Sequence, residues 1–80
     1  MLDIDDDVRR KIDALHFVTW QEVRDEVVTV SGLNAWKDED DQRGLRWYVK
    51  FWIRNRDYLA VLRPHRVDTD RYKLLTCYEV

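Results

Sequence analysis

Apolar residues recur at helical spacing at the start of the chain, where Ile4, Val8, Ile12 and Leu15 predict an amphipathic helix over residues 4–15. Asp5, Asp6 and Asp7 fall in its first turn, where carboxylates complement the positive end of the helix dipole. A second helix, over 20–30, has a sharper start. Thr19 reads as its N-cap, Glu22 completes a capping box, and Val18 and Val23 are spaced for a hydrophobic staple. Trp20, Val23, Val27 and Val30 then share one face, Glu22, Asp25, Glu26 and Thr29 the other, and Gly32 suits the stop.

Residues 33–37 read as a loop or as the first turn of a third helix, with Asn34 and Asp38 both eligible as caps. With Asp38 as the cap, Glu39, Asp40 and Asp41 suit the dipole, the helix spans 38–54, and Asn55 is its left-handed terminator. At about 100° per residue, Arg43, Arg46, Lys50 and Arg54 share one sector with Trp47. Leu45, Tyr48, Val49 and Trp52 lie opposite. After residue 56 the period becomes two. Tyr58, Ala60 and Leu62 alternate with Leu59, Val61 and Arg63, and Tyr72, Leu74, Thr76 and Tyr78 with Arg71, Lys73, Leu75 and Cys77. The PHRVDTD segment between them supplies the turn, giving an antiparallel hairpin of strands over 57–63 and 71–79.

Composition narrows the class. Eighty residues, 45% apolar and 38% charged, make one small globular domain over 1–80, with no linker, repeat or low-complexity segment. No run approaches the roughly 18 apolar residues of a membrane span, and the acidic N-terminus lacks an apolar signal segment. Cys77 is the one cysteine, so no internal disulfide forms, and a reducing, cytoplasmic setting is expected. Trp20, Trp36 and Trp52 are expected in the core.

The net charge of −2 hides a segregation. Residues 1–42 hold twelve acids and five bases, whereas residues 43–80 hold nine bases and four acids. Such a split creates a local field even when the total is small. The chemistry of catalysis is not legible. His16, His65 and Cys77 have no metal-ligand spacing, no nucleophile sits with a base, and no glycine-rich phosphate loop exists. The acids at 38–41 lack the alternate-position spacing of a calcium loop. We therefore expect no enzyme, metal, cofactor or small-molecule ligand.

The run RGLRWYVKFWIRNRDYLAVLRPHRVDTDRYKLL resembles the recognition helix and wing of the winged helix-turn-helix superfamily. Tyr72-Lys73-Leu74 matches a Tyr-x-Leu pattern of its second wing strand, and TWQEVRDEV resembles the helix that precedes the recognition helix. The resemblance covers residues 5–78 and implies an α+β fold: three helices followed by an antiparallel β-hairpin wing. It further implies that helix three enters the major groove of double-stranded DNA. Arg43, Arg46, Trp47 and Lys50 would then read bases, with Arg54, Arg63, Arg66, Arg71 and Lys73 on phosphates and His65 in the basic wing loop. The implied role is a small transcriptional regulator or an accessory factor of a phage or mobile element, acting as a homodimer on two half-sites. The alternative is a protein-interaction module, or a small inhibitor of a cellular machine. The acids at 38–41, which would repel phosphate, and the exposed aromatics favour that alternative, and the pI of 5.6 is low for a dedicated DNA binder. A merely solvated basic stripe, with Trp47 in the core, is the remaining reading.

Overall fold

The computed structural model describes residues 2–15, 17–29, 34–42, 44–64 and 71–80. Its elements are β1 (Leu2–Ile4), α1 (Asp6–Asp13), α2 (Trp20–Thr29), β2 (Ala35–Asp40), β3 (Gly44–Ile53), β4 (Arg56–Pro64) and β5 (Tyr72–Glu79). The strands form one five-stranded sheet in the order β1-β5-β4-β3-β2. β1 runs parallel to β5, and the other three pairings are antiparallel. The two helices pack on one face of this sheet.

This corrects the expected winged helix-turn-helix. The segment 38–54, predicted as a third and recognition helix, is the end of β2, a turn and nearly all of β3. Both periods fit the same letters. From Leu45, every second residue (Trp47, Val49, Phe51, Ile53) is apolar, and the stretch is rich in aromatic and β-branched side chains, which suit a pleated surface. Pairing decides the matter. β3 has a partner strand on each side, and Val49 and Phe51 are buried beneath the helices.

The local signals at the ends of that segment acquire other meanings. Asn55 is left-handed, with φ 64°, but so is Arg54, with φ 51°. Two consecutive positive-φ residues between the paired Ile53 and Arg56 make the tight two-residue turn whose twist matches a hairpin. Asp38, Glu39 and Asp40 lie in β2, an edge of the sheet, and Asp41 in the following turn. Charge on an edge strand discourages further strand pairing, a different task from complementing a helix dipole.

α1 starts later than the pattern suggests because residues 2–4 join the sheet, with Ile4 beside Leu74 in parallel register. At α2 the capping box is formed. The Thr19 N–H donates to Glu22 Oε1 at 3.1 Å, and the Glu22 N–H donates to Thr19 Oγ1 at 3.2 Å. The predicted stop at Gly32, and Val30 before it, lie outside the described residues.

The core gathers Val8 and Ile12 of α1, Val23 and Val27 of α2, and the inward residues of the sheet, among them Val49, Phe51, Tyr58, Ala60, Leu62 and Leu74. Burying each large apolar side chain contributes about 1.5–3 kcal/mol. A bulge interrupts the β4–β5 ladder: Val61 pairs with Thr76 but Leu62 pairs with Leu74, leaving Leu75 extra. Leu74 and Cys77, three residues apart, are therefore both buried, which strict alternation forbids. Ion pairs fix the periphery. Arg54 reaches Glu22 at 2.7 Å and donates to the Phe17 carbonyl at 3.0 Å, while the Arg56 guanidinium lies 3.7 Å from the Phe17 ring centre. Arg71 meets Asp3 at 2.6 Å and Lys73 meets Asp5 at 2.7 Å, tying β5 to the N-terminal segment.

Candidate functional site

Because strand side chains alternate, the residues that do not face the helices collect on the opposite side of the sheet. On β3 these are Arg46, Tyr48, Lys50 and Trp52. Among the described residues, no helix packs on that face. Trp36 of β2 stands directly opposite Tyr48, and their rings stack at 5.7 Å with planes 13° apart. Trp52 is 70% exposed, Trp36 46% and Tyr78 43%. Register continues the rows: Lys50 lies beside Leu59 and then Tyr78, and Trp52 lies opposite Asp57. A monomer rarely leaves several large aromatics exposed on one face without a use for them.

The structure divides the predicted basic residues. Arg46 and Lys50 share the open face of β3, and Arg63 joins them from β4, opposite Lys73. Arg46 and Arg63 each donate to a neighbouring main-chain carbonyl, of Leu45 at 3.1 Å and of Pro64 at 3.3 Å. Arg54, Arg71 and Lys73 are engaged by the carboxylates named above. Trp47 turns the other way: it is half-buried against the core, opposite the buried Leu62. Arg43, His65 and Arg66 lie outside the described residues.

Trp36 and Trp52, expected in the core, are among the most exposed apolar side chains described, whereas Trp20 is half-buried between Arg9, 4.0 Å from its ring centre, and Arg24, at 5.3 Å. The sequence did carry the missed signal. Read with period two, Arg46, Tyr48, Lys50 and Trp52 fall on one face, an alternation of base and aromatic.

A notch opens where this face meets the sheet's edge. Among the described residues, β2 pairs with β3 as far as Ala35 opposite Val49, while β3 continues to Ile53. At this corner lies a cavity of about 370 Å³ lined, among the described residues, by Glu26, Asn34, Lys50, Phe51, Trp52 and Asp57. Lys50, Trp52 and Asp57 belong to the open face as well, so the two features are continuous.

Among the described residues, the groups with perturbed acidity lie elsewhere. Burial pushes the Cys77 thiol up to about 12. Burial also raises the Tyr58 phenol, with the nearby Glu79 charge adding to it. Both side chains are in the core under the helices. Among the described residues, no group of three or more His, Cys, Asp or Glu is placed to hold a metal ion. No described helix is long and apolar enough to cross a membrane.

No protein-family model, no curated protein and no solved structure matches the chain. What the fold and the face define is an α+β protein whose two helices line one side of a mixed five-stranded sheet. The other side presents aromatic and basic side chains, with Asp38 opposite Arg46 and Asp57 opposite Trp52 on the same face.

Proposed function

We propose that the chain is a binding protein for single-stranded nucleic acid, and that the open sheet face is its platform. The observation that carries this reading is the stack of the exposed Trp36 on the half-buried Tyr48, with Arg46 and Lys50 on the same face of β3, two residues to either side of Tyr48. Unpaired bases offer flat π surfaces to such aromatics, and each stacked base is worth about 1–3 kcal/mol. Arg46, Lys50 and Arg63 would meet the phosphates. The basic segment is a strand, not a helix suited to the major groove, and a broad flat face suits splayed bases better than a duplex groove. Among the described residues this face brings together aromatics and bases, the side chains that bind a strand by stacking and charge.

The test is fluorescence anisotropy of labelled ten-nucleotide uridine and thymidine strands and of a duplex, at low and moderate salt. Single strands are expected to bind more tightly than the duplex. With three bases on phosphates, log affinity should fall against log salt with a slope of about −2. The Trp36→Ala, Tyr48→Ala double variant should lose about tenfold or more. Absence of single-strand binding at low salt overturns the proposal.

A second reading, a protein-interaction module, is favoured by the net charge of −2 and by the 70% exposure of Trp52. A protein partner anchored by Trp52 would stay bound as salt rises, and Lys50→Glu would barely weaken it.

A further inference from the structure

The notch at the end of β3 is more selective in its chemistry than the face beside it. We propose that it receives one unstacked guanine of the bound strand, with Asp57 as the residue that selects it; this deepens, and rests on, the single-strand reading above.

Geometry supplies the first argument. The cavity, about 370 Å³, lies at the small end of the range for ligand sites, about 300–1,000 Å³. It opens onto the platform through Lys50 and Trp52, so a strand lying on the face can turn one base into it without leaving the sheet. The register sets Trp52 directly opposite Asp57 across the β3–β4 pair, so both side chains leave the sheet on the same face. A base stacked on Trp52 would have its edge beside Asp57. Lys50, two residues back on the same face of β3, is then placed for the adjoining phosphate.

Hydrogen-bond complementarity supplies the second. An ionised carboxylate only accepts. Guanine alone among the four common bases has two adjacent N–H donors, N1–H and the N2 amino group, on its Watson–Crick edge. One carboxylate can take both in a bidentate pair, the charge-assisted geometry that is strongest. Adenine and cytosine set an acceptor nitrogen beside their amino group, and uracil flanks its single N–H with two carbonyls. Each of those would turn lone pairs toward Asp57. Asn34, which also lines the notch, carries an amide that can donate to guanine O6. Glu26 also lines the notch and has an interaction of its own.

The experiment uses labelled pentanucleotides, four uridines around a central G, A, C or U, in ribose and deoxyribose form, against the full chain. The central-G pentamer is expected to bind about tenfold more tightly than the other three, with the two sugar series reporting whether the strand is RNA or DNA. Asp57→Asn keeps the size of an exposed side chain and the main-chain bond from Val80 to the Asp57 carbonyl. It should reduce the central-G pentamer to the level of the rest and leave the all-uridine pentamer unchanged. Trp52→Phe, which retains a ring, should keep the preference. Equal binding of all four pentamers by the wild type overturns the inference and leaves the single-strand reading standing. Equal weakening of all four by Asp57→Asn also overturns it. If no pentamer or longer strand binds, the single-strand reading itself fails and the inference with it.

Discussion

Replacing Leu74 by alanine is expected to cost about 3 kcal/mol, and replacing its neighbour Leu75 about 1 kcal/mol. The two leucines are adjacent and chemically identical, so the difference comes entirely from the bulge in the β4–β5 ladder. Leu74 is fully buried, with Leu62 opposite it on β4 and Ile4 beside it on β1. Truncating it removes the transfer free energy of the lost carbons and leaves a cavity held open by the sheet, which places the cost in the 2–5 kcal/mol range. Leu75 is the unpaired extra residue and only half-buried, so about half the transfer term is lost and no closed cavity forms.

For 80 residues, total stability is about 4–12 kcal/mol, so Leu74→Ala removes a large fraction of it. With an unfolding entropy of about 2.1 cal/mol/K per residue, the 80-residue chain should lose about 18 °C in Tm for Leu74→Ala and about 6 °C for Leu75→Ala. Urea titration followed by tryptophan fluorescence gives the same comparison through the midpoint, with the slope unchanged. Equal costs, or a larger cost at Leu75, would refute the bulged register and with it the assignment of Leu74 and Cys77 to one face.

Two further perturbations test the packing. The Tyr58 hydroxyl is buried without a hydrogen-bond partner among the described residues, so Tyr58→Phe should raise stability by up to about 1 kcal/mol, read as a higher urea midpoint; a clear loss would reveal a partner for the hydroxyl. Burial raises the Glu22 carboxyl, but hydrogen bonds from Arg54 and Thr19 and the Arg54 charge outweigh it, so the folded pKa lies below the ordinary 4.5. A depressed carboxyl contributes stability above its unfolded pKa and loses it as pH falls through the folded value. Glu22→Gln should therefore flatten the decline in Tm on acidification below about pH 4.5, and an unchanged pH profile would argue against the Arg54 latch.

How far each element was legible follows from where its determinants lie. Thr19, Glu22 and the apolar face of Val23 and Val27 are neighbours in sequence and in space, so α2 could be read with its cap. The alternation of Tyr58, Ala60 and Leu62 marks the buried side of β4 for the same reason. β3 was ambiguous because Arg46, Lys50, Leu45 and Val49 satisfy a helical period as well as a strand period. What separates the two is hydrogen bonding to strands elsewhere in the chain. The short β1 had no signal of its own, since three residues carry no period, and its partner lies some seventy positions away.

The candidate site shows the same division. The alternation of bases and aromatics in β3 was present in the letters, but Trp36 comes from another strand, and only the β2–β3 register stacks it on Tyr48. Arg54, Arg71 and Lys73 looked equivalent to Lys50 until the fold brought carboxylates to them.

The sequence by itself determined the charge segregation and the capped helix, because these depend on residue type and local spacing. The tertiary structure decided that the basic segment is a central strand, which side of it is open, and which of its charges are already engaged. Those outcomes depend on pairing and burial between distant segments, whose free energies exceed the few tenths of a kcal/mol per residue by which local propensities differ.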